Sequence, residues 1–187
     1  ENKLSDQKMT MLGKYATQKY LREMVDKKCD IAIVETTSEG QLQYRNHYIA
    51  YDMMVLTNLY PEHIEAHGGY ENYKQAKLNI FRRASVYGYG KGLLGDGYKV
   101  GKFGALHKDC CSEFEKIFIV NGDIAEAEEF LNAPVLPHKS VIFGQNLKAV
   151  KKDIPADQKF LVEGVGSNKD GIFGVINQHL VHAPMYG

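Results

Sequence analysis

Tyr51-Asp-Met-Met-Val-Leu56, running directly into Thr57-Asn58, is the stretch on which the fold turns. A short apolar run that stops abruptly at polar residues reads as a strand buried in a sheet. The next regular segment, residues 70–83, changes period. Tyr73, Ala76, Lys77, Ile80 and Phe81 fall along one face of a helix there. A buried strand followed by an amphipathic helix is the opening half of a parallel crossover.

The same alternation extends in both directions. Upstream, Leu12, Tyr15, Ala16, Tyr20, Leu21 and Met24 make one helical stripe over residues 12–27, closed by Lys27 and Lys28. Asp30-Ile-Ala-Ile-Val34 follows as a buried strand that ends in the polar loop Glu35-Thr-Thr-Ser-Glu-Gly40. Downstream, Lys116-Ile-Phe-Ile-Val120 is a strand ending at Asn121-Gly-Asp123, residues 124–131 a short helix, and Val141-Ile-Phe143 a further strand. From about residue 145 to residue 187 the texture is that of a hairpin: Phe160-Leu-Val162, a turn at Gly166 to Gly171, then a strand over 172–181. The expected class is therefore α/β: a mostly parallel sheet flanked by helices, with a small antiparallel C-terminal sheet, over one domain of residues 1–187.

Composition narrows the function. Twenty-three basic residues balance twenty-three acidic ones, so no global field recruits nucleic acid or an anionic membrane. The apolar runs are too short to span a bilayer, and no charged-then-apolar leader opens the chain. Three cysteines, with Cys110 and Cys111 adjacent, suit a reducing cytoplasm better than a disulfide framework. Residues 87–115 read as a glycine-rich insertion. Its Gly101-Lys102 imitates a phosphate loop, but Asp96 stands where the first glycine belongs and Phe103 where the magnesium-binding hydroxyl belongs.

In an open α/β sheet, ligands bind beyond the carboxyl ends of the strands. Three polar clusters fall there: residues 35–40, 57–68 and 121–123. The second holds Glu62, His63, Glu65 and His67, hard oxygens with imidazoles that suit magnesium or manganese. Each of these residues is also an ordinary solvated loop side chain; their convergence on strand ends is the argument for more. Lys77 sits on the apolar face of its helix. Either its stem snorkels past its neighbours, or burial lowers its pKa and leaves a reactive neutral amine.

Two segments carry a family resemblance. Val34-Glu-Thr-Thr-Ser-Glu-Gly with Gln43-Tyr-Arg45 resembles the Mur ligase segment E-V-S-S-H-G/A and its following glutamine and arginine. Thr57-Asn-Leu-Tyr-Pro-Glu-His-Ile-Glu-Ala-His-Gly and the following Tyr73 and Ala76-Lys77 resemble T-N-L-x-x-D-H-L-D-x-H-G-x-x-x-x-Y-x-x-A-K. Residues 117–123 are similar to a later V-N-x-D-D element. The resemblance is closest to ligases that add the third amino acid to a UDP-N-acetylmuramoyl-peptide in peptidoglycan precursor synthesis.

The resemblance implies an ATP-dependent, ADP-forming acid–amino-acid ligase with a P-loop-NTPase-like central domain, acting through an acyl phosphate. It implies that Glu35 and His63 are Mg2+ ligands together with Lys77, carbamylated by carbon dioxide, and that these three are catalytic. It further implies that Thr37, Gln43, Arg45, Thr57 and Asn58 contact the UDP-N-acetylmuramoyl-peptide, and that Asn121 and Asp123 serve the nucleotide. A cytoplasmic monomer whose partners are that substrate and an amino acid is expected. Departures are Glu39 for the histidine of S-S-H, and Glu62 and Glu65 for two aspartates. No G-T-x-G-K-[ST] motif precedes residue 1, and the chain stops at Met185-Tyr-Gly187 where an adenine-contacting element would begin, so it reads as an inactive piece of a longer ligase. The alternatives are a folylpolyglutamate- or cyanophycin-type amide ligase, and a binding module that has lost its nucleotide site.

Overall fold

A computed structural model describes residues 11–62, 64–86, 115–145 and 156–184. The glycine-rich stretch before residue 115, Cys110, Cys111 and His63 lie outside the described residues. In chain order the elements are α1 (Lys14–Asp26), α2 (Ser38–Leu42), β1 (Met53–Leu56), α3 (Ile64–His67), α4 (Tyr70–Val86), β2 (Ile117–Asn121), α5 (Ala127–Leu131), β3 (Lys139–Gly144), β4 (Gln158–Asn168), β5 (Gly171–Ile176) and β6 (His179–Ala183).

The strands form one six-stranded sheet in sequential order. β1, β2, β3 and β4 run parallel. β5 and β6 continue antiparallel. The antiparallel end is not a separate sheet. β4 pairs with β3 over its first residues and with β5 over its later ones, so one strand belongs to both halves.

The register aligns Met54 with Phe118 and Leu56 with Val120, and Val120 with Ile142. These five side chains point to one face of the sheet, because alternate residues of a strand share a side. α4 and α5 cover that face. Phe81 of α4 lies 5.6 Å from the Phe118 ring and 5.3 Å from that of Phe130 on α5, centroid to centroid. Leu78, Val120 and Phe130 are wholly buried. On the other side, Met53 and Val55 are 56% and 51% exposed. β1 is thus covered on one face only, where its unbroken apolar run predicts burial on both.

Three further departures have physical causes. Residues 30–34 form no strand, and Ile31 and Ile33 are 77% and 89% exposed. An apolar run has the composition of a strand, but a strand also needs a neighbour for its N–H and C=O groups, and none of the described strands lies beside it. The last expected strand, residues 172–181, is two strands joined at Asn177-Gln178, both with positive φ (47° and 72°). Such a primed turn matches the twist of a hairpin, but glutamine is not one of its sequence signals. Finally, Lys116, read as the first residue of a buried strand, precedes β2 and is 1% exposed. Its Nζ donates to the Tyr51 carbonyl at 2.5 Å, tying the starts of β1 and β2 together.

Candidate active site

Two loops and a helix converge beyond the carboxyl end of β1. The first loop precedes α2. Thr37 caps that helix, its Oγ1 accepting from the Gly40 N–H at 3.0 Å, while Thr36 and Tyr51 hydroxyls share a 2.8 Å hydrogen bond that anchors the loop to the strand entering the sheet. Glu35, just before this anchored pair, stays exposed. The second loop runs from Thr57 through Glu62 into α3. Gly68 and Gly69, with φ of +71° and +138°, then turn the chain sharply into α4. Their amides donate to the Glu65 and Ile64 carbonyls, closing the end of α3.

α4 carries Lys77 one turn beyond Tyr73. Side chains four apart on a helix stack, and the Lys77 ammonium lies over the Tyr73 ring, 5.2 Å from its centroid. Burial pushes the Lys77 amine below the ordinary lysine range. The carboxylates of Glu62 and Glu35 act against that, favouring the charged form. The Lys77 amine is thus partly withdrawn from water, while a carboxylate from each loop, Glu62 and Glu35, favours its charged form. Glu62 also raises the Tyr73 hydroxyl's pKa, after burial, which places the same carboxylate near the same ring.

The other expected site residues are distributed as follows. His63 lies outside the described residues. Thr57 and Gln43 are exposed, and Asn58 is half-buried with its Oδ1 accepting from the Leu59 N–H at 3.0 Å. Arg45 is turned inward, its Nη1 donating to the Met11 carbonyl at 2.7 Å. Asn121 donates from Nδ2 to the Thr57 carbonyl at 2.9 Å, bracing the ends of β1 and β2. Asp123 accepts from the Gln145 N–H at 2.7 Å. His67, grouped by sequence with possible metal ligands, is instead buried and bonded to Ser38. Among the described residues no three His, Cys, Asp or Glu side chains gather as a ready metal cluster. A groove of about 200 Å³ between α1 and the loop is lined by Tyr20, Leu21, Met24, Ile33, Val34 and Glu35.

The arrangement has a signature: an anion-rich loop pair, a helix-borne lysine drawn out of water between them, and a tyrosine beneath it. A family profile described as the Mur ligase middle domain matches residues 1–95, the half of the chain that builds this arrangement. The chain belongs to the Mur ligase middle-domain family. This Mur ligase domain is 28% identical over 135 residues to UDP-N-acetylmuramoyl-L-alanyl-D-glutamate–2,6-diaminopimelate ligase 2 of Clostridium acetobutylicum, a match covering 72% of this chain and 26% of that protein. It is 35% identical over 91 residues to UDP-N-acetylmuramyl-tripeptide synthetase of Treponema pallidum, covering 48% of this chain and 16% of that protein. A Chlamydia felis diaminopimelate ligase of the same description is 30% identical over 116 residues, 62% of this chain and 18% of its own. The chain spans about a quarter or less of the length of these relatives.

The sequence groups Glu62 with His63, Glu65 and His67 as possible ligands of a hard cation; what it does not show is that the Glu62 carboxylate acts on Lys77 and Tyr73. Tyr73 itself was legible, since it stands four residues before Lys77 on one helical face.

Proposed function

We propose that this chain is the central-domain portion of an ATP-dependent, ADP-forming ligase that joins an amino acid to a UDP-N-acetylmuramoyl-peptide in peptidoglycan precursor synthesis. The supporting observation is Lys77, a half-withdrawn amine facing Glu35 and Glu62. Two carboxylates suit a hard divalent cation, but an ammonium beside that cation would repel it. The donor set therefore fits Mg2+ if Lys77 loses its positive charge, which carbamylation by carbon dioxide achieves while adding oxygen donors. Bound Mg2+ would neutralise the negative charge that gathers between phosphate and carboxylate.

In this reading Glu35, His63 and carbamylated Lys77 hold the ion. Thr37, Gln43, Thr57 and Asn58 hold the UDP-N-acetylmuramoyl-peptide at the loop ends. Arg45 joins them: one guanidinium N–H holds the Met11 carbonyl, and a guanidinium has further donors with which to pair with an anionic group of the substrate. Asn121 and Asp123 fix the β2 end on the nucleotide side, and ATP serves the intact enzyme. The protein is a cytoplasmic monomer; among the described residues no helix is long and apolar enough to cross a membrane.

Calorimetry on this chain with UDP-N-acetylmuramoyl-L-alanyl-D-glutamate and Mg2+ tests the reading. The expected result is sugar-nucleotide binding that weakens roughly tenfold in Gln43→Ala, the loss of about one hydrogen bond at an exposed residue. Heat-silent titrations with no competition by UDP would overturn it.

A further inference from the structure

Among the described residues, His67 is the imidazole of the second loop's cluster. It closes α3, is 8% exposed, and its Nε2 shares a 3.1 Å hydrogen bond with the hydroxyl of Ser38, itself 6% exposed. Twenty-nine residues separate the two. Ser38 is the first residue of α2, directly after the Thr37 cap and three residues after Glu35. The other side of the imidazole meets Tyr73 edge-on, with centroids 5.5 Å apart and planes at 73°. The face of that same tyrosine lies under Lys77. The His67 carbonyl, in turn, accepts from Asn72 Nδ2 at 2.9 Å, so its backbone is fixed to α4 as well.

We propose that His67 is a positioning residue: bonded to Ser38 and packed on Tyr73, it sets the distance between the Glu35 loop and Lys77 on α4. A buried hydrogen bond between polar side chains is costly to leave half-made, so the pair acts as a latch with a preferred closed geometry. Neither member reaches the amine itself. The route runs from Ser38 to the imidazole, to the tyrosine ring, to the lysine. Glu35 and Lys77 come from segments about forty residues apart, and the latch is the buried polar contact that spans α2 and α3 near both. This rests on the reading of Lys77 and Glu35 as one site, and adds what holds the site's two halves in register.

The test separates this from simple stabilisation. Because Lys77 lies over the Tyr73 ring, its ε-methylene protons experience that ring's current, and their NMR shift reports the tyrosine's placement without any ligand. In the 187-residue chain, Ser38→Ala removes the bond while leaving the imidazole and Tyr73 untouched; His67→Phe keeps the ring but not the bond; Ser38→Thr restores a hydroxyl. The expected result is that Lys77's ε-methylene signal moves toward the free-lysine position in Ser38→Ala and His67→Phe, moves no further in the double variant, and returns in Ser38→Thr. Mn2+ affinity, read by proton relaxation, is expected to fall about tenfold or more in step with it, the range seen when a supporting hydrogen bond is lost. A fall in melting temperature with the Lys77 signal unmoved would overturn the proposal and leave His67 merely a core residue. Absent Mn2+ binding in the unaltered chain would count against the ligase reading while the shift measurement still decided the latch.

Discussion

The two ends of the sheet are built from similar residues and behave differently. At the parallel end, Phe118, Val120 and Ile142 are buried to 1% or less under α4 and α5. At the antiparallel end, β4 to β6 carry Val165, Ile172, Phe173, Leu180 and Val181, all between 37% and 77% exposed. Apolar content alone does not separate them. What differs is a covering layer: the parallel strands have helices laid on one face, whereas no described helix makes more than a slight contact with the hairpin strands. The lesson is that stability and the candidate site are invested in the same half. Lys77 shares α4 with Leu78 and Phe81, so the helix that presents the amine is the helix that seals the core.

The contrast can be broken most directly by truncating one aromatic at each end. Phe118→Ala removes a ring packed against Phe81, and is expected to cost about 3–5 kcal/mol in denaturant melts. Phe173→Ala, where the ring lies across Gly166 on the neighbouring strand, is expected to cost about 1 kcal/mol or less. Equal costs would erase the distinction.

A second test uses the buried end of the parallel half. Burial lowers the Lys116 pKa from 10.5 to about 8, against the opposing pull of Asp52. The unfolded chain therefore binds the extra proton between these two values, so stability rises as pH climbs from about 8 toward 10.5. Lys116→Met is expected to flatten that rise; a variant with an unchanged slope would show that the amine is not desolvated. Smaller again is the effect at the site. Glu62→Gln removes one of the two anions that favour the Lys77 ammonium, so the Lys77 pKa is expected to fall further below its ordinary value, measured by side-chain NMR titration. The least is at the periphery: Lys28, just past the Lys27 C-cap of α1, has φ of 56°, a conformation suited to glycine, and Lys28→Gly is expected to raise stability by about 1 kcal/mol in thermal melts.

How much of this was written in the sequence depends on what each residue needs. Apolar patterning placed α1, α4 and the parallel strands β1 to β3, because those elements answer to their own side chains, but it read β4 only as an arm of the hairpin and not as the fourth parallel strand. It overshot at Ile31 and Ile33, where the composition of a strand meets no partner strand, and at Gln178, where a turn uses a residue that seldom marks one. At the site, Glu35 and Lys77 were readable from the matched segments. The bond between Ser38 and His67 was not, since nothing local to either residue reports a contact across the fold. Nor was the inward turn of Arg45, whose Nη1 donates to a main-chain carbonyl that no pattern of side chains can show.

Most directly, the account stands on an amine held among carboxylates being convertible to an anion. Carbon-13 NMR of the chain under labelled carbon dioxide, with and without Mg2+, reads this in one spectrum. A single carbamate resonance that strengthens on adding Mg2+ and is missing in Lys77→Ala is the result the account predicts. A spectrum identical in Lys77→Ala, or a resonance indifferent to the ion, would contradict it.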